Sequence, residues 1–370
     1  MPRTLLFVAS TWSHIANFHR PYLRAFCQMG WIVHAAAGGE VREIPEAEVC
    51  TQLPFEKKMT SHATLRAQAQ LRGLIREHGY DLVIVHTSLA AFFTRSAMVG
   101  LRPRPPLVNM GHGYLFDDAT PPVKRTAFLT AERITSPQTD LLLTMNHWDY
   151  DTARKYCLGT RIENIPGVGV DFARFPTPSR VERVSARDAL GIGREDCLLV
   201  YAAEFSDRKN QAMLLRALPL LPGRIKLALP GKGVLLEECR TLAGRLGVER
   251  RVLFPGYVTD MGRWYAAADA AVSASRYEGM PFNVMEAMHA ALPTVASSVK
   301  GHTDLISDGV TGLLYPYGDE TAFAHAVQLL LDAPEQAAAM GAAARESVEA
   351  YRLDRVLPQV MELYLSALKT

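Results

Sequence analysis

The sequence predicts an α/β protein of two similar halves, each a parallel sheet covered by helices. Short apolar runs alternate with segments of helical character along nearly the whole chain, the pattern of βαβ units. Near the middle lies a Pro/Gly-rich segment, Asn164-Ile165-Pro166-Gly167-Val168-Gly169-Val170-Asp171, followed by Phe175-Pro176-Thr177-Pro178, which reads as a linker. The 370 residues exceed what one core comfortably organises, so two domains are the default.

In the first half the strand candidates are Thr4 to Ala9, Trp31 to Ala37, Asp81 to His86, Leu107 to Met110 and Asp140 to Met145. The first ends in Ser10-Thr11-Trp12-Ser13-His14, and loops at the carboxyl ends of parallel strands are where ligands bind in such sheets. A helix over Ser61 to His78 carries Leu71, Leu74 and Ile75 on one face, with Arg66, Arg72 and Arg76 mostly away from it. The second half repeats the alternation with Cys197 to Glu204, Ile225 to Leu229, Arg251 to Phe254, Ala268 to Ser273, Pro293 to Ala296 and Gly312 to Tyr315. Two helical stretches close the chain, Glu320 to Glu349 with a break near Pro334, then Leu353 to Leu368. The expected division is 1–167, 168–352 and a final helical segment 353–370 packing back on the first domain. Two halves joined by such a linker imply a cleft between them, the natural place for an active site.

Composition excludes several classes. A net charge of +2 argues against a nucleic-acid binder. No apolar run approaches the roughly 18 residues that span a bilayer. The opening Met1 to Ala9 is followed by Trp12, His14, His19 and Arg20 where a signal peptide needs small cleavage-site residues, so a buried first strand is expected. Five cysteines, odd in number and scattered without C-x-x-C spacing, indicate neither a disulfide framework nor a structural zinc site and fit a cytoplasmic protein. From Lys57 to Arg104 eight basic residues (Lys57, Lys58, Arg66, Arg72, Arg76, Arg95, Arg102, Arg104) stand against two acids, Glu77 and Asp81. They read either as a solvated helix face or as an attraction to an anionic membrane surface or phosphate-bearing acceptor, which would make the protein peripheral on the inner face of the cell membrane.

The strongest motif is Arg276 to Met288, R-Y-E-G-M-P-F-N-V-M-E-A-M. A strand precedes it and helical spacing of Val284, Met285, Ala287 and Met288 follows. Gly279 frees the backbone, and Pro281 suits the first helical position. The N–H groups of Phe282 and Asn283 then start a helix and form an anion site, framed by Glu278 before the turn and Glu286 about one turn in. Acids near helix starts are also favoured by the helix dipole alone. His112 lies between Gly111 and Gly113 directly after a strand, either as a structural histidine or beside a ligand. Lys209, next to Arg208 after another strand, is either a surface cation or a point charge for a diphosphate. Asp149-Tyr150-Asp151 has a metal-binding D-x-D spacing but opens a helix, where acids are ordinary first-turn residues. Gly231-Lys232-Gly233 and Gly167-Val168-Gly169 lack the third glycine of a dinucleotide fingerprint, and no G-x-x-x-x-G-K-[ST] occurs. Neither hydride transfer nor ATP hydrolysis is supported.

On these residues the chain resembles glycosyltransferase family 4, the retaining transferases of GT-B fold, in which two Rossmann-like domains face each other across a cleft. The carrying element is E-x7-E, Glu278 through Glu286. Support comes from Val168 to Asp171, from Phe254-Pro255-Gly256-Tyr257-Val258, and from Asp304-Leu305-Ile306 before Gly309 and Gly312. Ser13-His14-Ile15, Phe18-His19-Arg20-Pro21-Tyr22-Leu23 and Gly111-His112-Gly113 look most like the exopolysaccharide and capsule branch. The resemblance implies that the second domain binds a nucleotide sugar. Glu278 would face the donor sugar or phosphate, Phe282 and Asn283 would present N–H groups, and Glu286 would hold the ribose. Lys209 matches the diphosphate lysine, Val258 the loop at the base, and Gly279, Met280 and Pro281 the donor-binding turn. His112 would face the sugar from the first domain, with Ser13, His14 and His19 on the acceptor side. Glu204 stands where the family often has an arginine, leaving Arg208 as the candidate for that charge. The usual glycine-rich first loop is replaced by Ser10 to His14.

The implied activity is retaining transfer of a hexose or N-acetylhexosamine from a nucleotide sugar, a UDP-sugar foremost, to a lipid-linked glycan in exopolysaccharide, capsule or surface glycan assembly. His112 and Glu278 are the catalytic candidates, and neither a metal nor a cofactor is called for. A nucleotide-sugar 2-epimerase of similar fold and a non-catalytic glycan-assembly partner are the alternatives.

Overall fold

Apolar four- to six-residue runs become the central strands of two separate sheets because they are buried on both faces, as parallel strands covered by helices must be. The computed structural model describes residues 2–56, 61–175 and 178–369, so Lys57, Lys58, Pro176 and Thr177 lie outside the described residues. The chain divides into unit 1, residues 1–169 with 354–370, and unit 2, residues 170–353.

Unit 1 holds β1 (Thr4–Ala9), β2 (Ile32–Ala37), β3 (Val49–Gln52), β4 (Leu82–His86), β5 (Leu107–Met110), β6 (Leu141–Thr144) and β7 (Arg161–Asn164). All pair in parallel, in the order β3-β2-β1-β4-β5-β6-β7. The outermost strands, β3 and β7, were not expected. Both sit at sheet edges with mostly exposed or half-buried residues, so they lack the apolar run that marks a buried strand. The final helix, Leu353–Ser366, belongs almost wholly to this unit. Its Tyr364 packs on Tyr22 and Phe26 at ring centroid distances of 5.9 and 6.2 Å.

Unit 2 holds β8 (Cys197–Val200), β9 (Ile225–Ala228), β10 (Val252–Leu253), β11 (Ala270–Ser273), β12 (Thr294–Ser297) and β13 (Leu313–Tyr315), ordered β10-β9-β8-β11-β12-β13 and all parallel. Both sheets follow the doubly wound order in which the chain reverses direction beside the first strand. Ligands bind outside the carboxyl ends of the strands at that reversal. In unit 1 it falls between β1 and β4, in unit 2 between β8 and β11. One large core, including Leu199, Phe205, Leu227, Val272, Val295, Tyr315 and Phe323, fills one face of the second sheet.

The helix expected from Ser61 runs His62–His78, with the Ser61 side chain accepting from Thr64 N–H at 3.1 Å as its cap. The long closing helix breaks as expected, into Glu320–Asp332 and Pro334–Val348. The basic stretch is partly consumed inside unit 1. Fully buried Arg95 pairs with Glu132 at 2.6 Å, Arg104 grips Asp140 with two hydrogen bonds of 2.6 and 2.8 Å, and Arg72 donates to the carbonyls of Ala97 and Val99. No helix among the described residues is long and apolar enough to cross a membrane.

Candidate functional site

Three loops leave the carboxyl ends of neighbouring strands in unit 2. The loop after β8 carries Arg208 and Lys209. Asn210 then takes a left-handed conformation, φ 50° and ψ 43°, at the start of the helix Gln211–Ala217. The loop after β11 carries Glu278, and the loop after β12 carries Lys300, Gly301 and His302.

The three loops meet at Glu278, which is 5% exposed. One carboxylate oxygen lies 2.5 Å from Lys209 Nζ, the other 2.6 Å from Arg208. The Glu278 N–H donates to the Lys300 carbonyl at 3.1 Å, and the Arg276 N–H to the Arg208 carbonyl at 2.8 Å. Burial alone would raise the Glu278 pKa, but Lys209 and Arg208, with His302, hold it down at about 2. Burial lowers Lys209 from the ordinary lysine value against the opposing pull of Glu278, while Arg208 adds to the fall. A carboxylate gripped on both oxygens favours the ionised pair, and that is the state the geometry supports. Two cations against one carboxylate leave the triad net positive. Arg208 and Lys300 also flank the Tyr277 ring, 6.0 and 5.9 Å from its centroid. The result is an anion-attracting corner beside a helix start.

That helix is Phe282–His289, with Pro281 at its N-cap (φ −78°, ψ 110°) and not at the first helical position expected. Its first hydrogen bonds come from Val284 and Met285, both to the Pro281 carbonyl at 3.2 Å, so the N–H groups of Phe282 and Asn283 precede the bonded turn. Gly279 is not among the glycines with positive φ; the freedom of this turn is used at Gly301, φ +83°. A Cβ on Gly301 would come within 2.7 Å of Glu278 Cβ and 2.8 Å of the Gly279 carbonyl oxygen, so only glycine lets the β12 loop close on Glu278.

Glu286, half-buried one turn into the helix, accepts from the Tyr265 hydroxyl at 2.9 Å. Met280 and Phe282 pack on the cluster of Val284, Met285 and Met288. Val258 packs on the cluster that includes Tyr265. Gly231 and Gly233, φ +155° and +157°, have a structural reason unrelated to a dinucleotide fingerprint. A Cβ on either would sit 1.9 or 2.2 Å from the carbonyl oxygens of Ala203 and Phe205, the backbone leading to Arg208. Lys300, Gly301 and His302 carried no motif in the sequence. His302, buried and held by Ser273 and Ser297, has its pKa lowered to about 4 by burial.

In unit 1 the structure brings His14, His19 and His112 together with His86, the last residue of β4. His19 Nε2 lies 3.1 Å from His14 Nε2, His14 Nε2 lies 3.2 Å from His112 Nε2, and His112 Nε2 lies 3.0 Å from His86 Nδ1. Burial lowers the pKa of all four, that of His14 to about 4. His19 is fully buried, which removes it from direct contact with an acceptor, whereas Ser13 is exposed and His14 half-buried. Thr87, directly after His86, holds a positive φ of 73°, a strained choice for a β-branched residue. The helix Trp12–Phe18 starts straight after β1 in place of a glycine-rich loop, capped by the Thr11 side chain on His14 N–H. Asp149 is buried and accepts from Asn146 and from Tyr114 N–H, the first-turn role expected of it.

Residues 196–333 match the family model described as Glycosyl transferases group 1, and residues 19–167 that of the Glycosyl transferase 4-like domain. EpsD of Bacillus subtilis (strain 168), a glycosyltransferase by designation, is 32% identical over 369 residues, covering 98% of this chain and 97% of EpsD. Among solved structures, Anabaena Alr3699/HepE in complex with UDP superposes with a TM-score of 0.79 at 19% identity, over 98% of this chain and all of the other. WaaG, a glycosyltransferase involved in lipopolysaccharide biosynthesis, does so with 0.78 at 19%, over 97% and 99%. The two Rossmann-like units are thus those of the GT-B fold, and with identity to EpsD sustained through both of them the chain belongs to the group 1 glycosyltransferases, glycosyltransferase family 4.

Proposed function

We propose that the protein is a retaining glycosyltransferase that takes a hexose or N-acetylhexosamine from a UDP-sugar and passes it to a lipid-linked glycan in the assembly of a bacterial surface polysaccharide. One observation carries the donor half of this reading: the net-positive triad of Glu278, Lys209 and Arg208 lies at the chain reversal of unit 2, in the loops beside the helix start at Phe282. Breaking an anomeric bond places negative charge on the leaving diphosphate. Cations and helix N–H groups fixed in place beforehand lower that barrier without reorganisation. Arg208, Lys209 and Lys300 supply the positive charge in this reading, so the diphosphate calls for no metal.

Glu278 spends both oxygens on cations and is a positioning residue more than a nucleophile. The sugar is then attacked from the leaving-group face, with the diphosphate as base, which retains the anomeric configuration. Glu286, oriented by Tyr265, accepts from the ribose hydroxyls, and Val258 lies beside the base. Uridine is favoured because the similar HepE has been solved with UDP, with UDP and glucose, and with UDP-glucose. The surface-glycan setting draws on the likeness to EpsD and WaaG. Acceptor choice is assigned to unit 1, with Ser13 and His14 at the carboxyl edge of its sheet.

The test is incubation with UDP-glucose, UDP-galactose and UDP-N-acetylglucosamine in the presence of lipid-linked oligosaccharides, reading UDP release and the product's anomeric configuration by NMR. An axial donor giving an axial product supports the reading. An inverted product overturns retention, an epimer formed from UDP-N-acetylglucosamine alone points to a 2-epimerase, and no UDP release with any acceptor points to a non-catalytic role.

A further inference from the structure

The four histidines of unit 1 present a problem of proton counting. Their inward nitrogens form a chain, His19 Nε2, His14 Nε2, His112 Nε2, His86 Nδ1, with successive separations of 3.1, 3.2 and 3.0 Å. A neutral imidazole nitrogen carries either one proton or one lone pair, never both. Complementary tautomers can therefore satisfy the two end contacts, but the middle one, His14 to His112, has no proton directed along it. The inward nitrogens can thus pair two by two, yet the His14–His112 approach at 3.2 Å has no hydrogen bond of its own. On the outer side, His19 Nδ1 and His86 Nε2 have no hydrogen-bond partner among the described residues.

A cation at the centre accounts for all three close contacts at once, because each inward nitrogen then offers its lone pair to a single acceptor. One nitrogen from each of the four rings lies within 4.8 Å of all the others, the one such grouping of three or more metal-ligating side chains among the described residues. Zn–N bonds of about 2.0–2.1 Å in a tetrahedron set nitrogens about 3.3 Å apart, close to the three separations observed. The residues are five, 98 and 26 apart along the inward chain of contacts, which is why no ligand spacing was visible in the sequence. They converge because β1, β4 and β5 end side by side.

We propose that His14, His19, His86 and His112 form a four-imidazole site for a borderline divalent transition ion, Zn2+ first among them. The all-nitrogen donor set excludes Mg2+ and Ca2+, which take oxygen ligands. Half-buried His14, next to exposed Ser13, is the entry side. The ion ties together the segments following three neighbouring strands. Without outer partners on His19 Nδ1 and His86 Nε2, affinity is weakened, each such partner being worth about 10–100-fold. The inference does not rest on the donor assignment, which concerns unit 2.

The experiment uses the untagged full-length chain, stripped with a chelator and titrated with Co2+. The expected result is one equivalent bound with intense visible ligand-field bands of a four-coordinate site, bleached by Zn2+. His86→Gln and His112→Gln should each weaken binding by about ten-fold or more, while His325→Gln, an exposed histidine in unit 2, leaves it unchanged. Should these two variants fail to fold, Zn K-edge absorption of the loaded wild-type protein decides, with four nitrogen neighbours at about 2.0 Å expected. Sub-stoichiometric Co2+, a weak octahedral spectrum or an oxygen-dominated shell would overturn the site. UDP titration of the stripped protein separates that failure from a failure of the donor reading.

Discussion

Lys209 Nζ and Glu278 Oε1, 69 residues apart in sequence, meet at 2.5 Å with both side chains buried. Removing one partner of such a pair strands a buried charge, which costs about 3–5 kcal/mol. Glu278→Gln should therefore lower the unfolding free energy by that much, read as a lower urea midpoint, as well as abolish turnover. An unchanged midpoint with lost turnover would show that the pair contributes nothing to stability.

The pH dependence of stability follows from two groups. Glu278 has a folded pKa of about 2 against an ordinary 4.5, so its contribution is complete above 4.5 and disappears as pH falls through about 2. His302 is held at about 4 against 6.5, so the unfolded chain takes up its proton first and stability falls as pH drops from 6.5 to about 4. Each window has a slope of about 1.4 kcal/mol per pH unit. Denaturation curves of wild type and His302→Asn should diverge in slope only below pH 6.5, and parallel curves would contradict the burial of His302.

Gly301→Ala and Gly309→Ala form a matched pair. Both glycines have positive φ, +83° and +74°, but a Cβ on Gly309 meets nothing within 4 Å. Gly309→Ala should cost only the backbone term, about 1–2 kcal/mol. Gly301→Ala should cost more and displace Glu278, so that UDP affinity falls with stability. Equal effects in thermal melts and UDP titrations would show that the β12 loop does not buttress the site.

Strands buried on both faces were legible in the sequence, as Leu82–His86 and Cys197–Val200 illustrate. Edge strands β3 and β7 were not, since their polar residues share the signature of loops. In the candidate site, Glu278, Glu286 and Lys209 stood out because each follows or flanks a strand-to-helix turn. Lys300, Gly301 and His302 did not. Their role depends on β12 lying beside β11, a pairing that no local pattern specifies. His86 was hidden for the same reason: it reads as the end of a strand until β1, β4 and β5 are set side by side.

The central claim, that unit 2 holds a uridine diphosphate sugar between the Glu278 triad and Glu286, is tested most directly by calorimetric titration of UDP into wild type and Glu286→Ala. Hydrogen bonds to a charged group contribute about 1.5–3 kcal/mol, so the variant should bind UDP about 10–100-fold more weakly with its fold intact. Equal affinity in the two proteins would contradict the assignment.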